Sequence, residues 1–503
     1  MPIPQPLILT IDIGTSSTRA MLFDAAARAV EGQVAQITYQ PQTVTANGKS
    51  GLEFEAETLF SAVVRAIDRL LEQAGPLAFN IGGVVIDTLV TNILGLDAGR
   101  QVITPVYTYA DTRNAFDADA IRRESGPDGL AQIHDRTGCL VHAAYLPARF
   151  RWLARTQPDV LEQAAYWVSM GDYVLGRLFD QWAASYSVAS WTGLLNRHSL
   201  QWDQTWLAAL PIQEAQLSPL TDVNQPFTGL KAEWAARWPA LAGAPWFPAI
   251  GDGAAANIGS GCDRPNRVAL TVGTTGAMRV VLTDPPAQVP DGLWLYRVDG
   301  RRALLGGATT EGGNLFAWLR QSLQLPVGEA LEAELARQQP TAHGLTILPF
   351  VAGERAPGWR DDARASIIGF SLDTQPIDIV RAGLEALSYR YALIYRRIAP
   401  HLPSDHQIIA SGGALLSSPV WLQMMADVLG QPVVTLAEGE ATSRGMALLA
   451  LEALGVIDAV DQLPPTTGKT YTPNMQNHQL YQIALEQQVA FYNLLLKPAK
   501  VGG

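Results

Sequence analysis

Two short segments of this chain, separated by about 260 residues, follow the same pattern. In each, an apolar run leads into a turn of glycine and hydroxyl residues, and a second apolar run follows. The first segment covers residues 7–23 with Gly-Thr-Ser-Ser at 14–17, and the second covers residues 268–282 with Gly-Thr-Thr-Gly at 273–276. β-Branched residues on both sides of such a turn predict a strand–turn–strand hairpin. Two matching hairpins favour a chain made of two halves of similar construction.

Length and the order of the other elements predict two α/β domains. A chain of 503 residues exceeds what one hydrophobic core ordinarily supports. We place the boundary at the Pro-rich stretch 245–248, which gives domains at 1–248 and 249–503. Apolar spacing then predicts strands at 81–86 and 406–410, helices at 55–74, 419–429, 440–454 and 479–495, and mostly helical structure over 115–210.

The composition of the chain limits the kinds of molecule that it is expected to bind. Hydrophobic residues make up 48% of the chain and charged residues 17%, which is typical of a well-packed enzyme and not of a disordered protein. The net charge of −11 repels nucleic acid and anionic membranes, so we expect neither as a partner. The first residues lack the basic and apolar regions of a signal peptide, and the two cysteines form no disulfide framework or metal motif. We therefore expect a cytoplasmic protein with a small-molecule substrate.

The first hairpin turn has the composition of a phosphate-binding loop. A glycine followed by hydroxyl residues offers backbone N–H and O–H donors to a phosphate, and Asp12 at the end of the preceding strand is placed to hold Mg²⁺. The second turn offers the same donors. An ordinary polar hairpin with a turn-forming glycine explains either turn equally well when each is considered alone.

Two further glycine-rich segments could contact a ligand. Asp252 lies between Gly251 and Gly253, where another molecule can approach the backbone and where a carboxylate could act as general base for a hydroxyl. A plain Asp-Gly turn is the alternative. The segment 411–414, Ser-Gly-Gly-Ala, lies between a strand and a helix, so a flat base could lie against its backbone. Close helix–strand packing is the alternative there.

Taken together, these segments resemble the FGGY family of carbohydrate kinases over nearly the whole chain. Their order and spacing are more specific than any single match. The segments that carry the resemblance are Asp12-Ile13-Gly14-Thr15 with Arg19, Tyr109-Ala110-Asp111-Thr112-Arg113, Arg136-Thr137-Gly138, Trp152-Leu153, Gly251-Asp252-Gly253, Gly259, Gly273-Thr274, Gly353-Glu354-Arg355 with Pro357, Ser411-Gly412-Gly413-Ala414 and residues 421–427.

The resemblance implies two actin-like (ribonuclease H-like) ATPase domains with a nucleotide and sugar cleft between them. It also implies an ATP-dependent kinase that transfers the γ-phosphate to a sugar hydroxyl as the domains close. Asp252 would be the catalytic base and Asp12 the Mg²⁺ ligand, and the Glu354-Arg355 pair would fix a loop. The residues implied to contact ATP are Gly14, Thr15, Ser16, Arg19, Gly273, Thr274, Gly313, Gly412, Gly413 and Ser417.

The identity of the sugar is less constrained. Segments 94–113 and 186–194 look most like gluconokinases, so gluconate is the first expectation, with xylulose or another pentulose or polyol as the alternative. Relatives carry an aromatic residue or Met followed by His where this chain has Val90-Thr91, and Tyr109 replaces their Trp. The residues implied to contact the sugar are Val90, Thr91, Tyr109, His142, Tyr145 and Asp252. A homodimer is a further expectation, although the sequence does not give the oligomeric state.

A regulator that binds ATP without catalysis is the rival from another functional class, because the actin-like fold also supports non-kinases. Such a protein would be expected to lose an acid at position 12 or 252. Both acids are present, which favours an enzyme.

Overall fold

The computed structural model describes residues 3–46 and 48–496 as two mixed sheets covered by helices. In the first part of the chain the strands are β1 Leu7–Ile13, β2 Ser17–Phe23, β3 Ala29–Thr38, β4 Gln42–Ala46, β5 Lys49–Phe54, β6 Ile81–Thr88, β7 Leu94–Leu96, β8 Val106–Tyr107, β9 Tyr166–Val168, β10 Ala184–Ser185, β11 Leu195–Asn196, β12 Gln201–Trp202, β13 Leu220–Thr221 and β14 Trp246–Gly251. The helices are α1 Ala56–Ala74, α2 Ala115–Thr137, α3 Leu146–Thr156, α4 Pro158–Gln163, α5 Met170–Phe179, α6 Tyr186–Ser190, α7 Gln204–Ala209, α8 Ala232–Arg237 and α9 Asp252–Gly259.

The second part follows the same plan with fewer short strands. Its strands are β15 Arg267–Val272, β16 Gly276–Leu282, β17 Trp294–Arg297, β18 Ala303–Thr309, β19 Thr346–Leu348, β20 Ser366–Ile368, β21 Gln407–Ser411, β22 Val433–Leu436 and β23 Thr467–Tyr471. Its helices are α10 Gly313–Ser322, α11 Glu329–Arg337, α12 Pro376–Ile398, α13 Gly413–Leu416, α14 Pro419–Leu429, α15 Ala441–Ala453 and α16 Met475–Leu495.

The two main sheets share one topology, which confirms the repeat predicted from the hairpins. The first has the order β14-β6-β1-β2-β3, and the core of the second has the order β22-β21-β15-β16-β18. In both, the hairpin strands and the strand that follows pair antiparallel. The two later strands add in parallel on the other side of the first hairpin strand. Strands β17 and β23 extend the second sheet at its edges.

Local sequence signals explain where most elements begin and end. Ser418 caps α14 by accepting a hydrogen bond from the Trp421 N–H at 3.1 Å, and Gly430 ends that helix with a φ of 65°. The predicted helix at 55–74 begins at Ala56, and the predicted strand at 81–86 extends to Thr88. The span 115–210 contains six helices, as its pattern predicted, but short strands interrupt it. No helix in the described part of the chain is long and apolar enough to cross a membrane.

Each sheet has its own hydrophobic core, and a third core joins the two halves. The joining core combines Ile8 and Val85 of the first sheet with Val281 of the second and with apolar residues of α9 and α15. The predicted boundary after residue 248 falls within β14, which is a strand of the first sheet. That boundary stays a prediction.

Helices α9 and α15 cross at two glycines with their backbones in direct contact. A Cβ on Gly259 would lie 1.7 Å from the Ala441 carbonyl oxygen, and one on Gly445 would lie 1.8 Å from the Ala255 carbonyl oxygen. No side chain fits at either position, since real Cβ atoms do not approach closer than about 3 Å. The crossing fixes α9, whose first residue is Asp252, against α15.

Gly445→Ala is expected to lower the free energy of unfolding by about 1–3 kcal/mol, because the added methyl group forces the two backbones apart. Urea denaturation followed by circular dichroism measures the change. Gly243→Ala is the matched control, since a Cβ there meets no atom within 4 Å. Equal stability of the two variants would contradict the close crossing.

Candidate active site

The first hairpin turn presents hydroxyl residues at the surface. The Gly14 N–H donates to the Ser17 carbonyl at 3.0 Å, and the Tyr39 hydroxyl donates to the Gly14 carbonyl at 2.7 Å. These bonds hold the ends of the turn. Thr15 and Ser16 between them are exposed, and their side chains make no hydrogen bond to the described residues. The turn therefore keeps two hydroxyls free for a ligand.

The second turn is the meeting point of three glycine segments. The Gly313 N–H donates to the Gly273 carbonyl at 2.8 Å, which seats the start of α10 on the turn. A Cβ on Gly412 would lie 2.4 Å from the Val272 carbonyl oxygen, so the segment after β21 also lies against the turn. Thr274 is exposed at the tip. The structure thus brings together three segments that the sequence places far apart.

The outer surface of α13 is open beside this turn. A Cβ on Gly413 would meet no atom within 4 Å. Ser417 is exposed, and its hydroxyl donates to the Ala414 carbonyl at 3.0 Å. The predicted nucleotide contacts Gly412, Gly413 and Ser417 therefore form one accessible surface next to Gly273 and Thr274.

Three carboxyl groups interact at the junction of the two halves. Asp12 is the penultimate residue of β1, Asp87 lies in β6, and Asp252 begins α9. Burial raises the pKa of Asp87 well above its usual range, and the charges of Asp12 and Asp252 raise it further. Burial likewise raises the pKa of Asp12, while its proximity to the Asp87 carboxyl and the charge of Arg19 oppose that rise. Like charges held this close resist full ionisation.

Asp87 is the member of this group that the sequence interpretation missed. It is fully buried, and its Oδ1 accepts a hydrogen bond from the Ile13 N–H at 3.0 Å. Its other carboxylate oxygen has no hydrogen-bond partner among the described residues. A signal was present, since Asp87 follows a buried apolar run in a strand parallel to β1 and therefore lies at the same sheet edge as Asp12.

Asp252 lies between this acidic group and a buried arginine. Burial and, to a smaller extent, the charge of Asp12 raise its pKa to about 6, and the charge of Arg279 opposes the rise. The Arg279 Nη1 also donates to the Gly253 carbonyl at 3.0 Å, which fixes the guanidinium beside the start of α9. A Cβ on Gly251 would lie 2.4 Å from the Trp191 ring, so only glycine fits before Asp252.

A row of aromatic rings leads away from Asp252. The Trp191 ring lies 5.4 Å from that of Tyr296, and the Tyr296 and Tyr145 hydroxyls are 2.5 Å apart. Tyr145 in turn lies 6.2 Å from Trp359. We call Trp191, Tyr296, Tyr145 and Trp359 the aromatic wall. Trp191 and Tyr296 were also missed, because nothing local in the sequence indicates that they meet.

The residues predicted to contact the sugar lie around this wall. They differ in the hydrogen bonds that their side chains already make. Val90 packs against the same core as the wall. Thr91 is buried, and its hydroxyl donates to the Trp191 carbonyl at 2.7 Å. This bond connects Thr91 to the backbone of Trp191 in the wall. It also uses the only proton that the Thr91 hydroxyl could donate. His142 is bonded to Asp361 at 2.7 Å, and its ring lies 5.0 Å from that of Trp359.

The structure gives the contacts of three charged residues that the resemblance singled out. Arg19 forms an ion pair of 2.5 Å with Glu440, so it is already occupied by a carboxylate from the other half of the chain. Glu354 fixes its loop, as expected, through Arg390 and through the Tyr492 hydroxyl at 2.6 Å. Arg355 takes no part in that fixation, because its side chain makes no ion pair or hydrogen bond within residues 3–46 and 48–496.

A cavity of about 1240 Å³ adjoins the far end of the wall. It lies between α2 and the loops at 287–291 and 358–364, and Trp359 and Asp361 form part of its lining. The acidic group does not line it.

Family models match both halves of the chain. The N-terminal domain model of the FGGY family of carbohydrate kinases matches residues 7–259, and the C-terminal domain model matches residues 268–454. The chain belongs to the FGGY family of carbohydrate kinases. It is an ATP-dependent sugar kinase with the two-domain fold of that family.

Relatives in the FGGY family include kinases for several substrates. A gluconokinase of Bacillus subtilis is 27% identical over 476 residues, which cover 92% of this chain and 91% of that protein. A glycerol kinase of Stenotrophomonas maltophilia is 28% identical, with 96% and 99% covered. The solved gluconate kinase of Lactobacillus acidophilus is 25% identical, with a TM-score of 0.86 and 97% and 98% covered. A ligand-bound xylulose kinase of that species has the same identity and TM-score, with 98% of both chains covered.

Asp87→Asn is expected to stabilise the protein at pH 7–8. Because the pKa of Asp87 is higher in the folded state than the usual 3.8, the folded chain binds the proton more tightly, and stability falls as the pH rises above that value. The Asn amide oxygen still accepts the Ile13 N–H, but the charge is absent. The gain corresponds to about 1.4 kcal/mol for each pH unit of the shift.

Urea denaturation at pH 4, 6 and 8 measures this effect. The difference between Asp87→Asn and the natural protein should grow with pH. Asp405→Asn is the control, since Asp405 is exposed and its side chain makes no hydrogen bond to a described residue. A gain of stability that is the same at all three pH values would show that charge is not its cause.

Proposed function

We propose that this chain transfers the γ-phosphate of ATP to a hydroxyl of gluconate, with Asp252 as the general base. The observation that carries the proposal is the Asp252 carboxyl, whose pKa is raised to about 6 by burial beside Asp12 and which begins a helix facing the aromatic wall. A carboxylate with a pKa just below neutral is ionised at pH 7 and is still basic enough to take a proton.

The proton and electron movements follow from this assignment. As the sugar hydroxyl oxygen attacks the γ-phosphorus, its proton passes to the Asp252 carboxylate. The new phosphorus–oxygen bond forms while the bond from phosphorus to the bridging oxygen of ADP breaks. Arg279 keeps part of the Asp252 population ionised, and it holds the Gly253 backbone at 3.0 Å. Alignment of the hydroxyl therefore depends on α9 being rigid.

The two turns supply the nucleotide contacts in this proposal. Thr15 and Ser16 offer free hydroxyls on one side, and Thr274 offers another from the second half. Gly273 and Gly313 hold the two segments close together, because the Gly313 N–H donates to the Gly273 carbonyl. The open surface of Gly412, Gly413 and Ser417 is suited to the adenosine, since a flat ring can lie on a backbone that carries no side chain.

The acidic group fits the Mg²⁺ that accompanies ATP. Asp87 has a buried carboxylate oxygen without a partner, and the raised pKa values of Asp12 and Asp252 signal charge that a cation would stabilise. Across the described residues, no three His, Cys, Asp or Glu side chains form a closed metal site. Nucleotide-bound Mg²⁺ needs only one or two carboxylates and takes other ligands from phosphate and water. Asp12 would hold it, and the ion would neutralise phosphate charge.

Gluconate is proposed over xylulose because the gluconokinases of Bacillus subtilis and Bacillus licheniformis are aligned over most of the chain. A pentulose such as xylulose is the second candidate, since the xylulose kinase of Lactobacillus acidophilus has an equally similar fold. The homodimer stays a prediction.

Asp252→Asn is expected to lower kcat by at least about 100-fold, because the amide cannot accept the proton. ADP production coupled to NADH oxidation measures turnover with Mg-ATP and D-gluconate, D-xylulose, L-xylulose, D-ribulose, L-ribulose, glycerol or erythritol. Calorimetric titration with ATP should give the same Kd for the variant and the natural protein. If the variant keeps full turnover, Asp252 is not the base, and if no sugar exceeds the ATP-only background, the proposed substrates are wrong.

Activity is expected to fall below about pH 6, because protonated Asp252 cannot act as a base. The charge of Arg279 lowers this pKa, so Arg279→Gln should move the acidic limb of kcat/KM to higher pH. Initial rates between pH 5 and 9 measure the limb. Arg264→Gln removes a surface charge of the same sign and serves as the control. If the acidic limb of Arg279→Gln stays at the pH seen for the natural protein, Asp252 is not the group that titrates.

A further inference from the structure

The far end of the aromatic wall carries an arginine without a partner. The Arg355 guanidinium lies 4.8 Å from the centre of the Tyr109 ring. Its charge also acts on the Tyr145 and Tyr296 phenols, because burial raises the pKa of both and Arg355 opposes that rise. Arg355 is partly exposed, and within the described part of the chain it forms no ion pair or hydrogen bond through its side chain.

Two other arginines near the site are already occupied. Arg19 is paired with Glu440, and Arg279 faces Asp252 and donates to the Gly253 carbonyl. The acid next to Arg355 in the chain cannot neutralise it, because Glu354 is held by Arg390 and the Tyr492 hydroxyl. Arg355 therefore keeps its charge available in the region that contains the predicted sugar contacts.

The loop that carries Arg355 is rigid. The Ala356 N–H donates to the Ala308 carbonyl at 3.0 Å, which ties the loop to β18. The Trp359 N–H donates to the Arg355 carbonyl at 2.7 Å, and the Trp359 indole donates to the Gly292 carbonyl at 2.8 Å. A side chain that leaves such a loop over an aromatic face is positioned before a ligand arrives, so binding costs little ordering.

We infer that Arg355 binds the carboxylate of a sugar acid, and so selects aldonates over neutral sugars of the same length. The inference rests on the proposed function and deepens it. The aromatic wall begins at Trp191, which packs against Gly251 beside Asp252, and ends at Trp359, whose N–H donates to the Arg355 carbonyl. A linear aldonate lying along the wall would place its carboxylate at Arg355 and a remote hydroxyl at Asp252. A planar guanidinium matches a carboxylate in two parallel hydrogen bonds, whereas a neutral polyol offers it no charge.

Equilibrium binding tests this assignment apart from catalysis. In the Asp252→Asn background, calorimetry compares D-gluconate with D-glucitol, which has the same carbon chain but no charge. Adding Arg355→Gln should raise the Kd for D-gluconate by about 10- to 100-fold and change that for D-glucitol by less than about 3-fold. Arg355→Lys, which keeps the charge but loses the fork, should give an intermediate loss.

Arg320→Gln is the matched control. Arg320 also lies over an aromatic ring, at 5.8 Å from the centre of Phe316, but it is on an exposed helix face. The control removes the same charge and the same kind of ring contact, and it should leave both Kd values unchanged. Circular dichroism and thermal melting check that each variant folds.

Steady-state kinetics with Asp252 restored separate this inference from the proposed function. The expected result is a raised KM for D-gluconate in Arg355→Gln with an unchanged KM for ATP. If the natural protein phosphorylates a different aldonate and Arg355→Gln does not, the result would support the inference and overturn gluconate as the substrate. Undiminished gluconate turnover in Arg355→Gln, or an equal loss for D-gluconate and D-glucitol, would overturn the inference alone. Turnover of neutral sugars with rejection of every aldonate would overturn both.

Discussion

The contact between α9 and α15 is the constraint on which the site depends. Gly259 and Gly445 allow the two helix backbones to touch, and the core around them contains residues from both sheets. Because Asp252 is the first residue of α9, the crossing also sets the position of its carboxyl relative to Asp12 at the end of β1. A change of a few tenths of an ångström at the glycines is transmitted along a single short helix to the acid.

The electrostatics of the site follow from that placement. Asp12 and Asp252 come from different elements, yet both lie close enough to Asp87 to raise its pKa. Folding thus holds together carboxyls that repel one another, which lowers stability at neutral pH and leaves the group ready for a cation. Arg279 balances part of this charge from the second sheet. Stability and reactivity are therefore set by the same few side chains.

The sequence predicted what is local and missed what depends on distant contacts. The two hairpins, the cap at Ser418 and the turn glycines each have a signal within a few residues, and the structure contains all of them. The meeting of Trp191 with Tyr296 has no such signal, because the residues are over 100 positions apart. Thr91 illustrates another limit, since the resemblance implies a sugar contact at its position but could not show that its hydroxyl donates to the Trp191 carbonyl.

If Arg19 binds a phosphate of ATP, as the family resemblance implies, its ion pair with Glu440 makes that binding an exchange of one anion for another. Glu440 is the residue before α15, so its ion pair with Arg19 links the first hairpin to the helix that packs against α9. Both side chains are about one-third exposed or less, and an ion pair of this kind contributes only about 0–1 kcal/mol. A phosphate that takes Arg19 must first release Glu440, whose freed carboxylate then repels the departing polyanion. Arg19 would therefore take part in both entry and exit of the nucleotide, and Glu440 would pair with Arg19 whenever the phosphate is absent.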